Sequence, residues 1–300
     1  MIKEAEIIHE EKEIIEIHEN EEKCEVTHKD AQSALDRAQT PRCKELIKTT
    51  YCAHKTNHLF APSIKRSCPH EKTFIAPGPD ISPGDYVTEP NVKIAYLLIV
   101  HGRAIRQIRR LFKLIYHRHH FFYFHVDSRS EFLFQEVKQL AAHYPNVRVA
   151  AWREAPIWGG TSLLTTIFTG LRDLIKMDVK WDFFVNLSFA DLPVASNEHL
   201  VQFLNKHRNK NFMKSHGREP DKFIKKQGLD RVFLECENHM WRLSERTTPE
   251  GIIIDGGSDW IALNYEFSNY VIESADQNLA QLKTWFNYTL LPAESFFHTG

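Results

Sequence analysis

Glu294 is a lone carboxylate in a nearly apolar run, Leu290-Leu291-Pro292-Ala293-Glu294-Ser295-Phe296-Phe297-His298. Partial desolvation raises a carboxyl pKa, and a carboxylate tuned in this way suits a general base that takes the proton of an acceptor hydroxyl. The same residues also fit a helix begun by Pro292, with Glu294 stabilising its first turn. A second acidic group lies in Asp255-Gly256-Gly257-Ser258-Asp259-Trp260, where two carboxylates and an indole surround a Gly-Gly turn after an apolar strand expected at 251–254. A D-x-D metal pair places its carboxylates two residues apart. These are four apart, a spacing that favours hydrogen bonds to sugar hydroxyls over a metal ion.

Two further constellations combine polar groups with a place where backbone can approach a ligand. His125-Val126-Asp127 ends an aromatic strand and puts a carboxylate at a sheet rim, suited to accepting hydrogen bonds from a ribose or a base N–H, or to capping the helix that follows. Ile157-Trp158-Gly159-Gly160 sets an indole beside two glycines. The ring either stacks on a sugar face or packs in the core above a Gly-Gly turn. Of two basic stretches, Arg106, Arg109, Arg110 and Lys113 fall at helical spacing and form a solvated face, whereas 206–226 offers charge for a diphosphate or an acidic peptide.

The elements that must carry these groups follow from hydrophobic periodicity. From Lys93 onward apolar strands expected at 93–100, 121–126, 147–151, 182–187 and 211–214 alternate with helical patterns at 103–117, 130–143, 162–176 and 196–207. This alternation predicts an α/β domain with a mainly parallel sheet, in which ligands gather at the carboxyl ends of the strands. Polar and glycine residues recur there, in Val100-His101-Gly102-Arg103, at Asp127, and in Asn186-Leu187-Ser188 with Asp191. The chain divides into an acidic stem or tail (1–23, nine glutamates), a cysteine-containing N-terminal module and Pro/Gly linker (24–90), and the α/β domain (91–300).

With 300 residues, 42% hydrophobic and 12% aromatic, the chain is long enough for one large core with a small module beside it. Its net charge of −1 excludes the broad basic field of a nonspecific nucleic-acid binder. Cys24, Cys43, Cys52 and Cys68 cluster, with Cys236 far away, and the absence of a C-x-x-C pair favours disulfides over zinc. The odd count leaves one cysteine over; Cys68 is the candidate, with a partner outside the chain. No apolar run approaches the ~20 residues of a membrane span, and residues 1–23 are too acidic for a signal peptide. Two glycosylation sequons occur: Asn186 at a strand end is expected to be buried, which leaves Asn287 as the glycan candidate.

The runs VHGRAIRQIRRLFKLIYH, FHVDSRS, IWGGTSLL, WDFFVNLSFADLP, KSHGREPDKFIKKQGLDRVFLECENHMWR, DGGSDW and YTLLPAESFFHT resemble, in this order, the peptide O-xylosyltransferases across essentially all of 91–299. The segment CEVTHKDAQSALDRAQTPRCKELIKTTYC resembles their N-terminal module. The wider group is the core-2/I-branching glycosyltransferases. The resemblance implies a GT-A-like Rossmann-type fold without a D-x-D metal site, and inverting transfer of xylose from UDP-α-D-xylose to serine in acidic Ser-Gly peptides of proteoglycan core proteins, the first step of glycosaminoglycan synthesis. No cofactor is implied beyond the donor substrate, and no essential divalent metal.

Carried onto this sequence, the resemblance makes Glu294 the base, sets Ile99 and Asp127 against the uridine, runs Pro156, Ile157 and Trp158 along the donor, and gives Asp259 and Trp260 the xylose and acceptor side. It implies Cys24–Cys52 and Cys43–Cys236 bridges. It also implies a type II membrane protein of the Golgi or endoplasmic reticulum lumen, attached only through an N-terminal anchor absent from this sequence. Pro156 stands where the family commonly has threonine, and Leu192 where it has tyrosine. The family's polypeptide continues past the equivalent of Gly300 with an Arg-Lys pair for the diphosphate, so these 300 residues alone are expected to turn over weakly or not at all. A β-1,6-N-acetylglucosaminyltransferase of the same superfamily, or a noncatalytic module that binds acceptor peptide, is the alternative.

Overall fold

The structure, a computed structural model, describes residues 24–62, 92–215, 220–249 and 252–299. The acidic stem, Cys68 and nearly all of the Pro/Gly linker lie outside the described residues.

A six-stranded sheet organises the chain, in the order β3-β2-β1-β4-β8-β5. Its strands β1 (Ile94–Val100), β2 (Phe121–Val126), β3 (Val147–Val149) and β4 (Phe183–Ser188) are parallel. Strand β8 (Gly257–Asn264) runs antiparallel to β4, and β5 (Phe212–Ser215) antiparallel to β8. The parallel half is the expected one. Crossovers through α3 (Ile105–Ile115), α4 (Glu131–Ala142) and α5 (Thr161–Lys176) connect its strands, each within two residues of the helix that periodicity predicts. The expected 196–207 helix is α6 (Asn197–Lys206), with Ser196 as its cap.

Side-chain alternation along β1 shows how the sheet is buried on both faces. Ala95 and Leu97 join a core with Leu164, Ile167 and Leu171 of α5, while Ile94, Tyr96 and Leu98 join another with Ile108, Leu111 and Phe112 of α3. Arg106, Arg109, Arg110 and Lys113 lie on the opposite, exposed side of α3, the solvated face that their spacing predicts.

Three features depart from expectation. The apolar run at 251–254 is not a strand: Ile252 to Ile254 are irregular, Ile254 is buried as coil, and the strand begins at Gly257. Asp259 and Trp260 therefore sit within β8 rather than in a turn after a strand. Residues 231–245 form a hairpin of β6 (Arg231–Cys236) and β7 (His239–Glu245) whose two-residue turn, Glu237-Asn238, has positive φ of 55° and 56°. Helices α2 (Pro41–Lys55), α8 (Tyr265–Glu273) and α9 (Gln277–Phe286) are also unanticipated; Thr40, Asn264 and Asp276 cap their starts with side-chain acceptors.

The N-terminal helices α1 (Lys29–Arg37) and α2 share a core with this hairpin: Ala31, Ala34, Ile47 and Tyr51 pack with Val232, Trp241 and Leu243. Disulfide Cys24–Cys52 closes the N-terminal segment onto α2, and Cys43–Cys236 fastens α2 to the end of β6. At the hairpin turn the Glu237 carboxylate accepts hydrogen bonds from the Gln39 and Thr40 amides (2.9 and 2.5 Å). Among the described residues no helix is long and apolar enough to cross a membrane.

Candidate active-site cleft

β1 and β4 are neighbours in the sheet, yet one chain segment leaves β1 toward β2 while the other arrives at β4 from β3. At such a switch point the flanking loops part and leave a crevice outside the carboxyl ends of the strands. A cleft of about 580 Å³ opens there, of a size suited to a small ligand. Ile99, Asp127, Pro156, Ile157, Trp158, Asp259 and Trp260 all line it, together with Arg129 and residues 186–190.

At one end Asp127 follows β2 and is 3% exposed. Its helix-capping alternative is not realised, because Ser130 holds the N-cap position of α4; Asp127 is instead gripped by Arg129. Oδ1 accepts from the Arg129 amide and Nε (2.8 and 2.9 Å) and Oδ2 from a terminal guanidinium nitrogen. Burial pushes this carboxyl up, but the Arg129 hydrogen bonds and charge outweigh it and hold it below its ordinary value. Arg129 also donates to the Pro156 carbonyl (3.1 Å), joining the two walls at this end.

At the other end the sheet itself parts. The β4–β8 ladder pairs Val185 with Ala262, and beyond it the side chain of Asn186 takes over. Asn186 Nδ2 donates to the Asp259 carbonyl and Oδ1 accepts from the Ile261 amide, both at 2.8 Å. This sequon asparagine is buried, as expected of it, and it spaces the strands where the cleft opens. Asp191 then orients Trp260: its Oδ2 accepts from Trp260 Nε1 (2.8 Å) and from the Ser188 amide and hydroxyl (2.6 and 2.9 Å). Trp260 keeps 46% of its surface exposed, and Trp158 keeps 78%, so the core-packed alternative for Trp158 does not hold.

Glu294 ends a 3₁₀ turn, Pro292–Glu294, that follows Leu291 in the left-handed region (φ 56°). Pro292 does begin a helical turn, and Glu294 is its last residue rather than a member of a long helix's first turn. The Leu291 amide donates to the Gly159 carbonyl (2.9 Å), which ties the Glu294 segment to the Trp158 loop. Gly159 itself has φ of +77°, and a Cβ there would lie 3.0 Å from Leu291 Cδ2. Glu294 is half-buried and does not line the cleft wall itself. Its charge nevertheless reaches Asp259, whose carboxyl is pushed up to about 6 by burial, with the Glu294 and Asp191 charges adding to the effect.

Asp255 is turned elsewhere: Oδ2 accepts from Ser215 Oγ and Oδ1 from the Gly256 amide, both at 2.7 Å. Among the described residues no three His, Cys, Asp or Glu side chains are gathered as a metal site. Asn287 is exposed at the end of α9, whereas the hydroxyl-bearing Thr289 of its sequon is fully buried. Sequence reasoning puts Asn186 and Asp191 at a strand end without giving them a role, and misses Arg129, although the i, i+2 spacing of Asp127 and Arg129 is a usable sign of a paired carboxylate. A second cavity of about 430 Å³, between Phe60 and Trp285, has no charged side chain in its lining.

A family model described as Core-2/I-Branching enzyme matches residues 94–300. The chain is 54% identical over 277 residues to Xylosyltransferase of Ciona intestinalis, covering 92% of this chain and 32% of that protein. It is 52% identical to Xylosyltransferase 2 of Rattus norvegicus, covering 92% of this chain and 32% of that protein, and 52% identical to Xylosyltransferase 1 of Homo sapiens, covering 92% and 29%. The chain thus spans about a third of the length of these curated relatives.

Proposed function

This chain belongs to the Core-2/I-Branching enzyme family, and from that premise we propose that it is the catalytic region of a peptide O-xylosyltransferase, transferring xylose from UDP-α-D-xylose to serine in acidic Ser-Gly peptides. The observation that carries the reading is the polarity of the cleft: a carboxylate–guanidinium pair at one end, two exposed indoles and the Asp259 carboxylate at the other.

In this reaction Ile99 and Asp127 receive the uridine, and Trp158 and Trp260 offer flat apolar faces to the xylose ring while Asp259 bonds its hydroxyls. Glu294 takes the proton of the serine hydroxyl as its oxygen attacks the anomeric carbon. The bond from that carbon to the donor phosphate breaks on the opposite side, UDP leaves with the bonding electrons, and configuration inverts. No divalent metal is essential in this scheme. Support comes from the four-residue spacing of Asp255 and Asp259 and from the engagement of Asp255 with Ser215. The two disulfides fit a protein of the oxidising secretory lumen.

A radiolabelled panel tests the proposal: UDP-xylose and UDP-N-acetylglucosamine, each with an acidic Ser-Gly peptide and a galactosyl-N-acetylgalactosamine acceptor, with and without EDTA. The expected result is slow but detectable transfer of xylose to the peptide, at a rate EDTA leaves unchanged. Transfer of N-acetylglucosamine to the sugar acceptor alone would overturn the choice of donor and acceptor.

A further inference from the structure

We propose that Glu235, on the hairpin and remote in sequence from the cleft residues, is a positioning residue that holds Trp158 at the sugar end of the cleft. The inference rests on reading that end as the donor-sugar site.

Helix α5 starts directly after the Trp158 loop, and its N-cap residue is Gly160, which has no side chain to satisfy the helix's free amides. Glu235 supplies that group from a distance. Its Oε2 accepts from the Ser162 amide (2.8 Å) and the Thr161 hydroxyl (3.0 Å). A Cβ at position 160 would lie 2.5 Å from the same oxygen and 2.4 Å from Ile157 Cγ1, so glycine is what lets the carboxylate come this close. A carboxylate at a helix amino end is favoured both by charge-assisted hydrogen bonding and by the helix dipole.

The cap is coupled to the loop through Ser162, whose amide goes to Glu235 while its hydroxyl accepts from the Ile157 amide (3.1 Å). The Gly160 amide donates to the Ile157 carbonyl (3.0 Å), closing the turn that presents Trp158. Because Trp158 is 78% exposed, packing does little to hold its ring, and its place is set by this backbone turn. Glu235 is itself well anchored, since the next residue, Cys236, is bonded to Cys43 of α2. With the carboxylate in place the positive end of α5 is already compensated, so the loop offers a donor an aromatic face rather than an anion cradle.

The test compares Glu235→Ala and Glu235→Gln with the parent protein, using whichever nucleotide sugar the donor panel identifies, so that a wrong donor assignment does not decide it. Steady-state kinetics and amide hydrogen exchange over 157–163 are read together. For Glu235→Ala we expect donor KM to rise about ten- to hundredfold, the loss expected of charge-assisted hydrogen bonds. Acceptor KM and kcat stay within about threefold, and exchange quickens at 157–163 but not in β1. Glu235→Gln keeps an acceptor oxygen and restores donor KM to within a few-fold. An unchanged donor KM in Glu235→Ala, or a loss of exchange protection throughout the sheet with kcat and both KM values moving together, would overturn the inference.

Discussion

The two ends of the cleft are built by different means. The end proposed to receive the nucleobase, the base end, is an extension of the parallel sheet: Ile99 lies opposite His125 in the β1–β2 register, and Asp127 comes two residues later, locked by an arginine two residues further on. The sugar end is a meeting of distant segments. Trp158 is held by a turn capped from β6, Glu294 by a strained residue bonded back to Gly159, and Trp260 by Asp191 from another loop. Arg246, 8% exposed, ties down the chain that leads into the Glu294 segment: it donates to the carbonyls of Leu229 and Trp285 (2.9 and 3.1 Å) and to Thr289 Oγ1 (2.7 Å). Strand register makes a precise site with few contacts, whereas converging loops need clamps, and the clamps are where such a site is most easily broken.

The largest effect that separates the ends comes from Glu294→Gln, which removes the proposed base without touching the base end. Transfer to peptide should fall about a thousandfold, within the range general bases supply, while UDP affinity by calorimetry stays unchanged. Equal loss of both would place Glu294 in nucleotide binding instead.

Next in size is Cys43→Ser, which frees a link across 193 residues. A cost of about 2–5 kcal/mol in unfolding free energy is expected from denaturant titration. In the folded variant, exchange protection should drop in the hairpin and at 157–163 before it drops in β1 and β2; uniform loss would mean that the hairpin is no separate clamp.

Asp259→Asn is a smaller test with a defined sign. The Asp259 carboxyl, pushed up to about 6 in the fold, binds its proton more tightly there than in the unfolded chain, where the value is about 3.9. Its contribution is therefore fully present below about pH 4 and is lost as pH rises through about 6, so that the ionised form costs on the order of 1–3 kcal/mol at pH 7. The variant should melt higher than the parent at pH 7.5, and the gain should vanish near pH 4. A gain independent of pH would contradict the assigned shift.

The smallest effect is Arg129→Ala, which exposes the Asp127 carboxylate without disturbing the sugar end. UDP affinity should change by about tenfold or less, and thermal stability by about 1 kcal/mol, because Arg129 is half-exposed and screened by water.

The same contrast governs what can be read from the sequence. Strand β1 is an apolar run that ends in Ile99-Val100 and β2 an aromatic one that leads to Asp127, so the base end follows from periodicity and the switch-point rule. At 251–254 an apolar run misleads, because Ile254 satisfies its hydrophobicity as buried coil while the strand itself, Gly257–Asn264, hides behind Ser258 and Asp259. The Glu237-Asn238 turn has positive φ at both residues but no glycine, so the hairpin between Cys236 and His239 gives no local signal. What no local pattern contains is that Glu235 reaches Gly160, or that Arg246 reaches Thr289, since both contacts depend on the assembled fold.

All the proposed roles depend on a nucleotide sugar lying along this cleft in one direction. A crystal structure of the protein soaked with UDP-xylose tests it most directly. The uracil is predicted beside Ile99 and Asp127, with the xylose between Trp158, Asp259 and Trp260 and its anomeric carbon facing Glu294. A donor lying in the reverse direction, or bound instead in the cavity between Phe60 and Trp285, would contradict it.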